Sequence, residues 1–383
     1  MRYIYKKIFV CTILFYFFTA NTYTQTTKNP FFDKAKDYYE KQMYLQAISE
    51  FTRALQLEPN SAELYYWRGR CFVEERNYGH AFSDFDKALM LNPRFFEVYN
   101  ARGVVYLRAE AFEQAIADFN KAIAINPEYV DAYNNRGFVY AKKGNFELAI
   151  IDFNNAIRIN PYSADVYYNR GFVFAQKGDL SQVITYLNKV IELNSAYAPA
   201  YYNRGLAHAK RGNLDRAIRD FNEAVNIDPY YAEAYYNRAV AYAEKGNYDE
   251  AIADYDKTLQ LNPDLTQAKD NKVLAQTKRD NLTKAIDQFD NLIQKNPQYV
   301  QAYYNRGVAY LKKGNFKHAI EDFDRALFLS PKEPLVYRER AIAFFYIQNY
   351  DDAWQDVRKA KTLGAAISSI FLEELQEASG KQE

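Results

Sequence analysis

Small residues return along this chain at one fixed interval, each flanked by aromatic or apolar positions on the same side. Gly69, Gly103, Gly137, Gly171 and Gly205 follow at a constant 34-residue step. The step continues to Ala239, Val273, Gly307 and Ala341, and backwards to Ala35. With that residue as position 8, ten units tile residues 28–367 without insertion or deletion: 28–61, 62–95, 96–129, 130–163, 164–197, 198–231, 232–265, 266–299, 300–333 and 334–367. Positions 4, 8 and 11 share one helical face, as in Tyr133, Gly137 and Tyr140 or Tyr303, Gly307 and Tyr310. A second stripe at positions 20, 24 and 27, such as Ala149, Phe153 and Ala156 or Ala319, Phe323 and Ala326, predicts another helix.

Punctuation between the stripes fits two helices per unit. Gly144, Gly178, Gly212, Gly246 and Gly314 stand at position 15, where glycine accepts the left-handed conformation that ends a helix. Pro59, Pro93, Pro127, Pro161, Pro229, Pro263, Pro297 and Pro331 stand at position 32, and each forces its predecessor out of the helical region. A single hairpin cannot bury its apolar stripe, whereas stacked neighbours make a continuous core. The pattern therefore predicts an all-α solenoid of antiparallel helix hairpins. Small residues at 8 and 20 let the helices approach, and aromatics at 4, 11 and 24 fill the space around them.

An aromatic at 4, Gly or Ala at 8, Tyr or Phe at 11, Ala at 20, Phe or Tyr at 24, Ala at 27 and Pro at 32 resemble the tetratricopeptide repeat. The resemblance covers about nine tenths of the chain as a repeat assignment. It implies a right-handed superhelix in which the first helix of each unit lines a concave groove, with positions 2, 5, 6, 9, 12 and 13 facing that groove. Beyond the array, residues 367–383 hold an amphipathic stripe of Ile367, Ile370, Phe371 and Leu375, read as a capping helix over the last repeat and a short tail.

Two units depart from the pattern. The fifth carries Val183, Leu187, Val190 and Ser195 at positions 20, 24, 27 and 32, all compatible with a helix pair. The eighth carries Lys269 at 4, Val273 at 8 and Gln276 at 11, with Asp280 in place of the turn glycine. Weakened packing there marks a candidate hinge or kink, or else drift that the neighbouring hairpins absorb. Drift is the expectation.

Position 7, usually leucine in such repeats, holds Arg68, Arg102, Arg136, Arg170, Arg204, Arg238, Arg306 and Arg340, with Lys34 and Lys272 in the first and eighth units. A cation on a packed face needs a partner. Position 23 offers Asp84, Asp118, Asp152, Asp220, Asp254, Asp322 and Asp356, each in a unit whose position 7 is arginine. Lys34 is matched by Glu50, and Lys272 by Gln288. A ladder of Arg–Asp pairs is expected, within units or between them. Arg170 meets Tyr186 instead, so it reaches for Asp152 next door or for a ligand.

Position 6 holds Asn135, Asn169, Asn203, Asn237, Asn271 and Asn305, although asparagine costs roughly 0.7 kcal/mol against alanine inside a helix. Position 5 adds Tyr66, Tyr168, Tyr202, Tyr236 and Tyr304. The asparagine row resembles the repeat groove of O-linked N-acetylglucosamine transferases, which implies amides gripping the backbone of an extended peptide. A carboxamide can both donate to and accept from any peptide bond. The alternative is that these amides bond only to neighbouring helices. A carboxylate clamp for acidic tails is not expected, because position 2 carries Glu97, Asp131, Asp165 and Glu233 where that clamp needs lysine.

Composition changes this picture little. The chain has 49 Lys and Arg against 48 Asp and Glu, so no global field draws nucleic acid or an anionic membrane. The tyrosines and phenylalanines, 36 and 27, mostly fall on the repeat positions. Arg2, Lys6 and Lys7 precede an apolar run from Ile8 to Ala20, a secretory-signal pattern with cleavage expected between residues 20 and 25. The mature chain is then periplasmic or secreted, with an uncleaved N-terminal anchor as the alternative. Cys71 alone remains, so no intrachain disulfide is expected.

His80, His208 and His318 fall on repeat positions and gather no site, and no cofactor, metal or phosphate motif is present. About 27 residues precede the array and 16 follow, too few for a folded catalytic domain. The expected function is a non-enzymatic, exported scaffold that binds a protein or peptide segment in its groove. A structural component of an envelope assembly, packing through repeat surfaces, is the alternative.

Overall fold

The computed structural model describes residues 29–380. The expected export signal, residues 1–25, lies outside them. All regular structure among the described residues is helical, in two compact units that divide after Ser195.

The first unit holds α1 (Pro30–Glu40), α2 (Tyr44–Leu57), α3 (Ala62–Glu74), α4 (Tyr78–Leu91), α5 (Phe96–Arg108), α6 (Phe112–Ile125), α7 (Val130–Lys142), α8 (Phe146–Ile159), α9 (Ala164–Gln176) and α10 (Leu180–Leu193). The second holds α11 (Ala198–Lys210), α12 (Leu214–Ile227), α13 (Ala232–Lys245), α14 (Tyr248–Leu261), α15 (Thr266–Lys295), α16 (Val300–Lys312), α17 (Phe316–Leu329), α18 (Pro334–Tyr346), α19 (Tyr350–Thr362) and α20 (Ser369–Ser379).

Each hairpin closes by the same steric device. A Cβ added to Gly69, Gly103, Gly205 or Gly307 would sit 2.7 Å from the phenylalanine ring at position 24 of its own hairpin. Only a very small residue lets the two helices pack at that distance. Ala81, Phe85 and Ala88, and their counterparts Ala319, Phe323 and Ala326, are fully buried on the facing helix. Turns follow the sequence too. Gly144, Gly178, Gly212, Gly246 and Gly314 are left-handed, and Gln42, Arg76, Glu110 and Gln348 hold the same conformation at the same position without being glycine. At the other end, Asn92, Asn126, Asn160, Asp228 and Asn296 at position 31 accept from the amide two residues on, at 3.0–3.1 Å, which fixes the turn into the next unit.

The eighth unit is not a hairpin. α15 runs unbroken from Thr266 to Lys295, through Asp280, so the expectation of drift absorbed by neighbours is corrected here. Missing glycine alone does not explain it, since four other units turn on a non-glycine residue. In a hairpin Val273 would face position 24, where a single Cβ already touches the ring, and Leu292 would stand where most units have a small residue at 27. Together they would overfill a hairpin core, and a stretch without Gly or Pro continues as helix.

The second unit draws its turn ends together. Gly246 lies so near the Lys312 carbonyl that a Cβ there would be 2.8 Å from it. Lys245 sits 4.3 Å from the centre of the Tyr346 ring and pairs with Asp215. α20 covers the last hairpin, burying Leu375 against Trp354, whose indole donates to Ser379 at 3.0 Å. The same helix reaches α12 through an Arg216–Glu377 ion pair.

Candidate peptide-binding groove

The first helices of successive units pack on each other: α3 on α5, α5 on α7 and α7 on α9 in the first unit, α11 on α13 and α16 on α18 in the second. Among the described residues no comparable packing joins the second helices, which places the first helices on the inner side of the curvature within each unit.

Position 7 fastens the hairpins. Arg68, Arg102, Arg136, Arg204, Arg238, Arg306 and Arg340 each donate through Nε and Nη2 to both carboxylate oxygens of Asp84, Asp118, Asp152, Asp220, Asp254, Asp322 and Asp356, at 2.5–2.9 Å. These pairs lie within a unit. The remaining nitrogen, Nη1, crosses to position 25 of the preceding unit: Thr52, Asp86, Asn120, Asn222, Asp290 and Asp324, at 2.5–3.1 Å. Each guanidinium also lies 5.2–5.7 Å from the centre of its own position-4 tyrosine ring. Hydrogen bonds donated to Asp118 and Asp322 hold Arg102 and Arg306 above the ordinary guanidinium range. Lys34 bonds Glu50 at 2.9 Å, and Lys272 crosses to Asp256 at 2.5 Å. Arg170 lies on the Tyr186 ring at 4.7 Å, with its Nε buried and unbonded. The position-25 partners escaped the sequence reading, although a short polar residue recurs there in every unit from the first to the ninth.

The asparagines form a second ladder, from each position 6 to position 5 of the unit before. Asn135 donates to Asn100, Asn169 to Asn134, Asn237 to Tyr202 and Asn271 to Tyr236, at 3.0–3.1 Å. Asn203 donates to the Pro199 carbonyl, and Asn305 accepts from Gln301. Asn135 and Asn203 are buried, as are Tyr168 and Tyr202, so these four hold the inner wall together. Asn169, Asn237, Asn271, Asn305, Tyr236 and Tyr304 stay half-exposed. The Oδ1 atoms of Asn169, Asn237 and Asn271 accept no hydrogen bond among the described residues.

Position 2 adds charge to the first unit's inner face. Burial raises the carboxyls of Glu97, Asp131 and Asp165 above the usual carboxylate range, and like charges add to it, Glu63 acting on Glu97 and Asp165 on Asp131. Arg70, at position 9, lies 4.7–5.6 Å from the ring centres of Tyr39, Tyr66 and Trp67 and opposes the rise at Asp131. Farther along, Phe138 and Phe172 lie 5.9 Å apart with Lys142 near both rings. The inner wall thus offers carboxylates and amide oxygens in rows one repeat apart, while Phe138 and Phe172 are buried in the core. Among the described residues no group of acidic, histidine or cysteine side chains is arranged to hold a metal.

Tetratricopeptide-repeat profiles match residues 32–95, 164–197, 232–265 and 300–333, and a TPR repeat profile matches 110–144, 139–178, 207–246 and 275–314. Together they span more than half of the chain. The chain belongs to the tetratricopeptide-repeat family. As an array of such repeats it is a protein–protein interaction scaffold, and no enzyme family is indicated. No curated protein matches it by sequence.

Among solved structures, this tetratricopeptide-repeat chain is similar to YrrB, described as a TPR protein with an unusual peptide-binding site, at 29% identity over 49% of this chain and 97% of that one, with a TM-score of 0.41. A tetratricopeptide repeat protein from Parabacteroides merdae matches at 19% identity over 64% of this chain and 97% of its own, TM-score 0.49. PilW, a type IV pilus biogenesis factor, matches at 22% over 53% and 94%, TM-score 0.49.

Proposed function

We propose that this protein is an exported, non-enzymatic scaffold that captures an extended, basic protein segment along the inner face of its first helices. The observation that carries the reading is the register of that face. Carboxylates at position 2 follow at one-repeat steps from Glu63 to Asp165 in the first unit, and half-exposed asparagines at position 6 follow at one-repeat steps from Asn237 to Asn305 in the second. An extended segment meets such a row at regular intervals. The amide oxygens accept its backbone N–H groups whatever its sequence, and the carboxylates select positive side chains. Export is supported by Arg2, Lys6 and Lys7 ahead of the apolar run Ile8–Ala20.

Fluorescence anisotropy with three labelled extended peptides, lysine-rich, neutral and glutamate-rich, tests the reading on the full chain. The lysine-rich peptide binds tightest. Changing Glu97→Gln, Asp131→Asn and Asp165→Asn together weakens it by about tenfold or more. Because these carboxyls are raised in the free protein, binding declines as pH falls through their raised range, at a higher pH than ordinary carboxylates would give. Equal binding of all three peptides, or no response to the three substitutions, contradicts the proposal.

A further inference from the structure

The second unit closes on itself at its turn ends. Its eighth repeat contributes no turn, because α15 runs on through Asp280, and the turn of the seventh repeat meets the ninth and tenth instead. Position 13 belongs to the inner face of a tetratricopeptide repeat. Here Lys312 and Tyr346 hold that position, and both touch the turn of the seventh repeat, Lys312 at Gly246 and Tyr346 at Lys245. α20 completes the closure with two different sides. Phe371, Leu375 and Ser379, spaced i, i+4, i+8, seat it on the last hairpin, where Leu375 is buried with Trp354 and Val357 and Phe371 stands edge-on to Phe345 at 5.5 Å. Ile370, Glu374 and Glu377, spaced i, i+4, i+7, turn towards the first hairpin of the unit. Glu377 pairs with Arg216 on α12, and a Cβ on Gly212 would be 3.8 Å from Ile370.

We propose that α20 is a releasable strap holding the first and last hairpins of this unit together, and that ionisation of Glu374 loosens it and opens the inner face carrying Asn237, Asn271 and Asn305. The inner-face part rests on the peptide-binding reading above. The two ends of the strap are unequal: its seat on the last hairpin is apolar, whereas its hold on α12 is one ion pair and one aliphatic contact, so it parts from α12 first. Glu374 lies at that weaker side. Burial and the Asp215 carboxylate push its carboxyl up to about 7, against the opposing charges of Lys245 on α13 and of Arg219 and Arg216 on α12. Tyr346 on α18 is itself raised by burial and stays neutral, and α19 meets the strap with Trp354 and Val357. Docking therefore favours the protonated carboxyl. The hold is complete below its ordinary value of 4.5 and is lost as pH rises through about 7. His208, held neutral, acts in the opposite sense and cannot mimic this loss.

Spin labels on Glu223→Cys in α12 and Ala378→Cys in α20, both exposed positions, test the strap in the full chain with Cys11 and Cys71 replaced by alanine. The short distance predominates at about pH 5, and its ratio to longer distances falls by about tenfold per pH unit at the steepest point. Glu374→Gln keeps the short distance to about pH 8, and Glu377→Arg loses it at every pH by setting a cation against Arg216. A distance unchanged across that range, a Glu374→Gln chain that opens like its parent, or a strap still closed in Glu377→Arg overturns the proposal. At about pH 6, Glu377→Arg also binds the lysine-rich peptide about threefold or more tighter, and changing Asn237, Asn271 and Asn305 to alanine cancels the gain. Unchanged affinity in a chain whose labels have separated overturns the opening of the inner face. The labels report without peptide, so a peptide that binds neither chain contradicts the peptide reading and leaves the strap to its own result.

Discussion

Replacing Asp322 by alanine leaves the guanidinium of Arg306 without its bidentate partner on a packed face, and the expected loss is about 3–5 kcal/mol in urea unfolding. Arg306→Ala alone is costly for the same reason, while the double variant costs less than the sum, with a coupling of about 1–3 kcal/mol. Strict additivity would mean that the 2.5 Å contact contributes nothing. This pair was legible in the sequence, because arginine on a core face demands a counter-ion and position 23 supplied one of fixed type. Its second bond, from Nη1 to the previous unit, was not, since position 25 reads as an ordinary solvent-facing polar residue until the hairpins are stacked. The asparagines divide for a similar reason. Spacing put all six on the inner face, but only packing separates Asn135 and Asn203, buried in the wall, from Asn169, Asn237 and Asn271, which keep an unengaged oxygen.

At the scale of the element, nine hairpins were legible in small, aromatic and turn residues at fixed offsets, and the eighth unit of the pattern was read as a hairpin although it is one helix. The information was present in Val273 and Leu292. Its meaning depends on a distance, the 2.7 Å at which a Cβ meets the position-24 ring, and periodicity carries no distances. Restoring small residues should therefore close the unit. With spin labels on Gln267→Cys and Gln294→Cys, the continuous helix places the labelled backbones about 40 Å apart at 1.5 Å per residue. Adding Val273→Gly, Asp280→Gly and Leu292→Ala should bring most molecules to less than about half that separation, as expected of an antiparallel hairpin. An unchanged long distance in that variant would show that the overfilled core is not what keeps α15 open.

For the molecule as a whole, stability is a sum over neighbouring hairpins, so local faults act locally. His208 takes the place of the tyrosine at position 11. Burial, with Arg216, Arg204, Arg211 and Arg219 nearby, lowers its pKa to about 4, and Asp220 is 4.0 Å away. The neutral form is favoured in the fold, so this contribution is present above the unfolded value near 6.5 and is lost as pH falls towards 4. His208→Tyr should flatten that part of the profile in thermal unfolding, and an unchanged profile would place the acid sensitivity elsewhere. The central claim is that the inner face receives an extended basic segment. Placing a photo-crosslinking benzoylphenylalanine at Asn169, at Asn237 or at the outer residue Lys121, and mapping adducts of the lysine-rich peptide by mass spectrometry, tests it most directly. Adducts from the two inner positions and none from Lys121 are the predicted result. Adducts chiefly from Lys121, or none from Asn169 and Asn237 while the peptide is bound, would contradict it.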